Sequence, residues 1–212
     1  MGSASGLPDE RPVHRVWVGA FHIALLPVTN EEYAAFLNAT AHEPPRFWED
    51  PRFNQSQQPV VGVSWFDAVA YCDWLSDATA ASYHLPAEAE REKAARGGVE
   101  GASYPWGDDP GEDGGAFSQD APRLVGLSAP NSYGLFDMGY NVHEWCLDWY
   151  DPAYYAHSPE RDPEGPATGK RRVARGGAWR HQIKVSRCSA RSSLDPTFRY
   201  NDFGFRVVRA EG

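Results

Sequence analysis

Residues 172–209 read RVARGGAWRHQIKVSRCSARSSLDPTFRYNDFGFRVVR, and the meaning of their recurrent arginines decides the fold. Residues 170–212 hold nine Arg and two Lys against Asp195, Asp202 and Glu211, yet the 212-residue chain has a net charge of −9. The acid excess therefore lies in residues 1–169. A basic strip on an acidic protein can be a phosphate-binding surface, a catalytic strip or internal scaffolding. The spacing favours scaffolding. The charges are interspersed with Val, Ala, Trp and Phe rather than clustered. Most are guanidinium groups, which form planar two-point pairs with carboxylates. A nucleic-acid partner is therefore not expected.

The remaining composition describes a folded globular protein. Hydrophobic residues make up 42%, with 8 Trp, 10 Tyr and 10 Phe, which excludes a disordered chain. Twenty Gly and 17 Pro imply a backbone rich in turns. No apolar run approaches the roughly 20 residues of a membrane helix, so no membrane partner is expected. The opening MGSASGLPDERP lacks the apolar stretch of a secretory leader, which makes the cytoplasm the default location. Cys72, Cys146 and Cys188 form no CxxC pair. Each stands beside aromatic or small residues, as buried structural thiols do, and none has an adjacent base to activate it.

Three helices have start signals. TNEEYAAFLNAT offers Thr29 and Glu32 as a capping box, with Tyr33, Phe36 and Leu37 on one face. SWFDAVAYCDWLSDA repeats the device with Ser64 and Asp67, and Trp65, Val69, Cys72 and Leu75 form the expected buried stripe. LPAEAEREKAARGG places Pro86 in a first turn, acids early, bases late and Gly97-Gly98 as the stop. From Gly98 to Gly126, Gly, Asp, Pro and Ser predict loop. Strands are expected in HRVWVGAFHI, RRVARGGAW and FGFRVVR, with the first and last pairing to bring the chain ends together.

These segments, together with YPWGDD and NSYGLFDMGYNVHEWCLDWY, occur in an order that resembles the formylglycine-generating enzyme (sulfatase-modifying factor) family. The resemblance runs along essentially the whole chain. It implies one domain over residues 1–212 with an irregular α+β, C-type-lectin-like fold of few helices, short antiparallel strands and much ordered loop. It also makes the arginine-rich segment a regular feature of the fold. In the family a strand precedes the Met-Gly-Ser motif; here Met1-Gly2-Ser3 opens the sequence, so that strand is expected to be missing either genuinely or through a truncated start, and in the latter case the location is open.

The family's copper-dependent oxidases hold Cu(I) between two cysteines placed after a Gly-Gly-Ser-aromatic turn, since Cu(I) prefers soft sulfur ligands. Here the turn is Gly176-Gly177-Ala178-Trp179, His181 takes the first cysteine's place and the second has no counterpart. No copper and no formylglycine formation are expected. His181 by itself makes no metal site: no carboxylate triad accompanies it in sequence, and His14, His22, His42, His84, His143 and His157 are scattered. It reads as a polar groove residue.

For calcium, the resemblance maps DMGYNVHEW onto a family loop, giving Asp137 and Glu144 as side-chain ligands and Tyr140 and Val142 as carbonyl donors. The alternative is an unmetallated loop with Glu144 paired to an arginine. A second calcium site of some relatives is not expected, because GEDGGAFSQDAPRL lacks the needed Asn.

Three functional readings remain open. The first is a binding module with Trp179, Arg180, His181, Lys184, Arg191, Phe198 and Tyr200 lining a groove for a peptide, a protein or a small acidic ligand. The second is an oxidoreductase with chemistry other than copper-dependent formylglycine formation. The third is a variable ligand-binding protein of a diversity-generating retroelement, disfavoured by Gln182 and Lys184, which the usual adenine-directed codons do not encode.

Overall fold

Two capping boxes start the first two helices as the sequence requires. Helix α1 (Asn30–Thr40) begins behind Thr29, whose side chain accepts from the Glu32 N–H while Glu32 accepts from the Thr29 N–H. Helix α2 (Trp65–Thr79) repeats the arrangement with Ser64 and Asp67. Helix α3 (Glu88–Arg96) starts later than Pro86 suggests: Ala87 is the cap, its N–H satisfied by Glu90, and Gly97 at φ 60° ends the helix. The computed structural model describes residues 1–110 and 120–211; the 111–119 part of the expected loop, and with it most of the second calcium segment, lies outside the described residues.

Among the described residues, seven short strands form two sheets. Strands β1 (Phe21–Ile23), β7 (Val208–Ala210) and β2 (Tyr83–His84) form an antiparallel sheet in the order β1-β7-β2. Phe21 lies opposite Ala210, so the first and last strands pair as expected. The second sheet contains β3 (His143–Trp149), β4 (Arg172–Arg175), β5 (Ser192–Leu194) and β6 (Phe203–Gly204), in the order β5-β4-β3-β6. Its longest strand, β3, falls in the segment assigned above only to a metal loop. Most of its residues are buried on both faces, so no alternation marks it. FGFRVVR supplies two strands, β6 and β7, in different sheets.

Helices α1 and α2 pack an aromatic core onto the crossing between the sheets. Tyr33 and Tyr71 stack with ring centroids 5.7 Å apart, and Phe205 meets Tyr71 edge-on at 5.3 Å. The buried stripe of α2 is Ala68, Tyr71 and Cys72. Trp65, Val69 and Leu75 sit at its margin, a correction to the expected face.

The arginines of 172–209 are absorbed into this scaffold. Buried Arg175 pairs with Glu88 and Glu92 of α3, and Arg191 holds Glu88 through two bonds of 2.7 and 2.8 Å. Arg187 grips Glu10 at 2.6 Å, Arg199 meets Asp67 at 3.0 Å, and Arg206 meets Glu144 at 2.7 Å. Arg172 lies 3.8 and 3.6 Å from the ring centroids of Trp65 and Trp149. The acidic and basic parts of the sequence neutralise each other inside the fold. The three cysteines are free and buried, and burial pushes the Cys72 and Cys188 thiols up to about 12 and about 11, so they are inert at neutral pH. Among the described residues, no helix is long and apolar enough to cross a membrane.

Candidate functional site

The register of the second sheet brings three distant segments to one edge. β3 and β6 run parallel with His143 opposite Phe203, and the His143 N–H donates to the Asp202 carbonyl at 2.8 Å. β4 runs antiparallel to β3, with Arg175 opposite Glu144, and continues into the Gly176–Trp179 turn. That turn lies along residues 139–141: the Gly177 N–H donates to the Gly139 carbonyl at 3.2 Å and the Trp179 N–H to that of Asn141 at 2.9 Å. Gly176 has φ +75°, and a Cβ on Gly177 would fall 2.8 Å from the Gly139 carbonyl oxygen, so both positions require glycine. The turn lays His181 over His143.

His143 Nε2 and His181 Nδ1 stand 2.9 Å apart, one donating and the other accepting. The Nε2 edge of His181 faces Asp202 Oδ2 at 3.7 Å, and Arg180 Nε donates to the same oxygen at 2.9 Å. His143 and Asp202 are buried, whereas the His181 side chain is 38% exposed. Among the described residues, this is the one group of three His, Cys, Asp or Glu side chains whose ligand atoms converge, all within 4.8 Å. Asp202 Oδ1 is buried without a hydrogen-bond partner among the described residues, and a hydrogen bond with the Gly176 backbone favours the protonated form of His143. Burial pushes His143 down to about 4 against the pull of the Asp202 carboxylate, and burial also lowers His181. Both rings are therefore neutral at pH 7 and can offer lone pairs. The expectation that His181 stands without a companion ligand is overturned. Sheet register, which sequence spacing does not reveal, supplies His143 and Asp202.

A cavity of about 440 Å³ opens beside the pair, lined by His143, Gly176, Arg180, His181, Gln182 and Lys184 among others. Of the expected groove residues, Arg180, His181, Lys184 and Arg191 line it. The Arg191 guanidinium is committed to Glu88, so Arg191 contributes wall rather than free charge. Trp179, Phe198 and Tyr200 do not line this cavity. Trp179 packs with Phe53, Val61 and Val142, and its indole N–H donates to the Asn201 carbonyl at 3.2 Å. Phe198 and Tyr200 form an exposed edge-to-face pair at 5.7 Å. A ring in a core and a ring on a groove wall look alike in sequence.

The four residues assigned to calcium do not fit that ion as arranged. Glu144 Oε2 accepts from Arg91 Nε at 2.8 Å and Arg206 Nε at 2.7 Å, and its Oε1 accepts from Arg206 Nη2 at 2.9 Å. Two guanidinium groups thus already supply the positive charge that a divalent cation would bring. Asp137 accepts from the Gly126 N–H and the Ser128 hydroxyl at 2.7 and 3.1 Å, and burial pushes its carboxyl up. Asp137 and Asn141 both take left-handed backbone, at φ 56° and 83°, and Val142 is a core residue. This is the ion-paired alternative, corrected by a second arginine.

A family model described as "Sulfatase-modifying factor enzyme 1-like domain" matches residues 1–211. The chain is 36% identical to a formylglycine-generating enzyme of Streptomyces coelicolor, over 98% of this chain and 85% of the relative. It is also 36% identical to a protein named serine/threonine-protein kinase pkn1 of Chlamydia pneumoniae, covering 98% of this chain but 36% of that relative. The chain thus spans about a third of the length of that protein. Among solved structures, PvdO from Pseudomonas aeruginosa superposes with a TM-score of 0.86 at 30% identity, covering 100% of this chain and 90% of that one.

Proposed function

The chain belongs to the sulfatase-modifying factor family, and within it we propose a ligand-binding member that holds a small acidic ligand, or the carboxylate end of a peptide, in the cavity beside His181. The observation that carries this reading is uncommitted positive charge. Most arginines of 172–209 are spent on internal carboxylates, Arg180 among them through Nε to Asp202, but Lys184 has no side-chain partner among the described residues and the Arg180 side chain is still 43% exposed. Both stand at the mouth of a cavity floored by neutral imidazoles. An anion entering there meets an ammonium, a guanidinium fork and polarisable ring nitrogens. Copper oxidation has no comparable support. The two-sulfur centre implied by the family's oxidases has His181 at one position and no counterpart at the other.

Titration calorimetry with succinate and citrate on the metal-free protein tests the reading. We expect binding of one acid per chain, weakened about tenfold in Lys184→Ala, as loss of one charge-assisted hydrogen bond implies. No heat with either acid, or affinity indifferent to Lys184→Ala, would overturn it. So would conversion of a cysteine-bearing sulfatase peptide to its aldehyde.

A further inference from the structure

We propose that His143, His181 and Asp202 form a binding site for one divalent first-row transition-metal ion, open toward the cavity. Donor type, spacing and unmet bonding capacity all favour such an ion. Two imidazole nitrogens and one carboxylate oxygen are a donor set for borderline divalent ions such as Zn²⁺, Fe²⁺ or Co²⁺. The 2.9 Å separation of His143 Nε2 and His181 Nδ1 is short for two ring nitrogens unless something bridges them. A proton does so here. Two nitrogens each about 2.1 Å from one ion, at a right angle, would also stand about 3 Å apart. An ion taking the place of the shared proton would leave the buried His143 where it is and turn the half-exposed His181 ring aside.

The remaining atoms are placed to serve such an ion. One ligand atom from each of His143, His181 and Asp202 lies within 4.8 Å of the other two, and the half-exposed His181 ring already faces Asp202 Oδ2 with its Nε2 at 3.7 Å. Asp202 Oδ1 is buried with no partner among the described residues, while Oδ2 is held by Arg180, which fixes the carboxylate as an outer-shell hydrogen bond does in metal sites. With Nε2 on the ion, the proton of His143 sits on Nδ1, the ring nitrogen turned away from His181. Three protein ligands leave a vacant coordination position, and the cavity with Lys184 and Arg180 lies on that side. The site deepens the acidic-ligand reading only in this last respect, since a carboxylate entering the cavity would complete the coordination.

Cobalt titration of the chelator-treated full chain, without any carboxylate present, tests the site. The expected result is one Co²⁺ per chain with a visible ligand-field spectrum, displaced by Zn²⁺. His181→Ala, at a half-exposed position, should fold normally and weaken binding by at least the ~100-fold that loss of an outer-shell partner can cost. His181→Cys should retain the ion and add a thiolate-to-cobalt charge-transfer band. No stoichiometric Co²⁺ or Zn²⁺ binding, or binding unchanged in His181→Ala, would overturn the proposal. Because succinate binding is measured on metal-free protein, failure of the metal site and failure of the acidic-ligand reading give different results.

Discussion

His143 and Glu144 are neighbours on β3, and their surroundings obey opposite rules. Glu144 is fully buried between Arg91 and Arg206, and both its oxygens are bonded. His143 is as deeply placed, but its Nε2 shares a proton with the half-exposed His181, and Asp202 beside them keeps an oxygen with no partner among the described residues. Closed charge of the first kind fixes the crossing of the two sheets. Open valence of the second kind is what the proposed metal site builds on. The same contrast runs through the basic segment, from buried Arg175 and Arg206, paired with carboxylates, to exposed Lys184 at the cavity mouth, which the fold leaves unpaired among the described residues.

The sharpest way to break the comparison is to disturb its closed side. Glu144→Gln leaves two buried guanidinium groups facing a neutral amide. We expect a loss of about 3–5 kcal/mol, or roughly 10 °C in melting temperature, read by calorimetry. A loss below about 1 kcal/mol would mean that the cluster is not a structural element. Trp179→Ala should cost a similar ~3–5 kcal/mol if the ring is core, as its packing on Phe53 and Val142 requires. A groove ring would unfold nothing.

Acid comes next. Glu144 is held below the ordinary carboxylate range by Arg206 and Arg91 despite its burial, and Glu92 by Arg175 and Arg96 likewise. Groups with depressed folded values stabilise the fold above their unfolded pKa, about 4.3, and lose that contribution as pH falls through the lower folded value. Stability should therefore decline steeply below about pH 4, with Glu144→Gln flattening the slope. Asp148 has the reverse sign. Burial, and then the Glu88 carboxylate, push it up to about 8, so the fold favours its protonated form and loses stability as pH rises from about 4 toward 8. Asp148→Asn, which can still accept from the Glu88 N–H, should raise the melting temperature by several degrees at pH 9 and by about nothing at pH 4.

The legible parts of this molecule are those with local causes. The capping boxes at Thr29 and Ser64, the glycine stop after α3 and the burial of the arginines follow from residues close in sequence or from charge type alone. β3 was hidden because a strand buried on both faces shows no alternation. The convergence of His143, His181 and Asp202 is hidden for a related reason. His143 lay inside a segment with another assignment, and only the parallel register of β3 and β6 places Asp202 beside it. One signal was available: His143 directly precedes a glutamate in a motif whose carboxylate serves the scaffold, leaving its own ring to face the other way.

The smallest expected effect on stability is also the most direct test. Lys184→Glu reverses a charge at the cavity mouth that the fold does not use. Melting curves of the parent and this variant should coincide within about 2 °C without ligand, as for surface changes generally. Saturating succinate should then raise the parent alone. A variant that melts as low as Glu144→Gln, or that succinate stabilises as much as the parent, would contradict the assignment of this corner to binding.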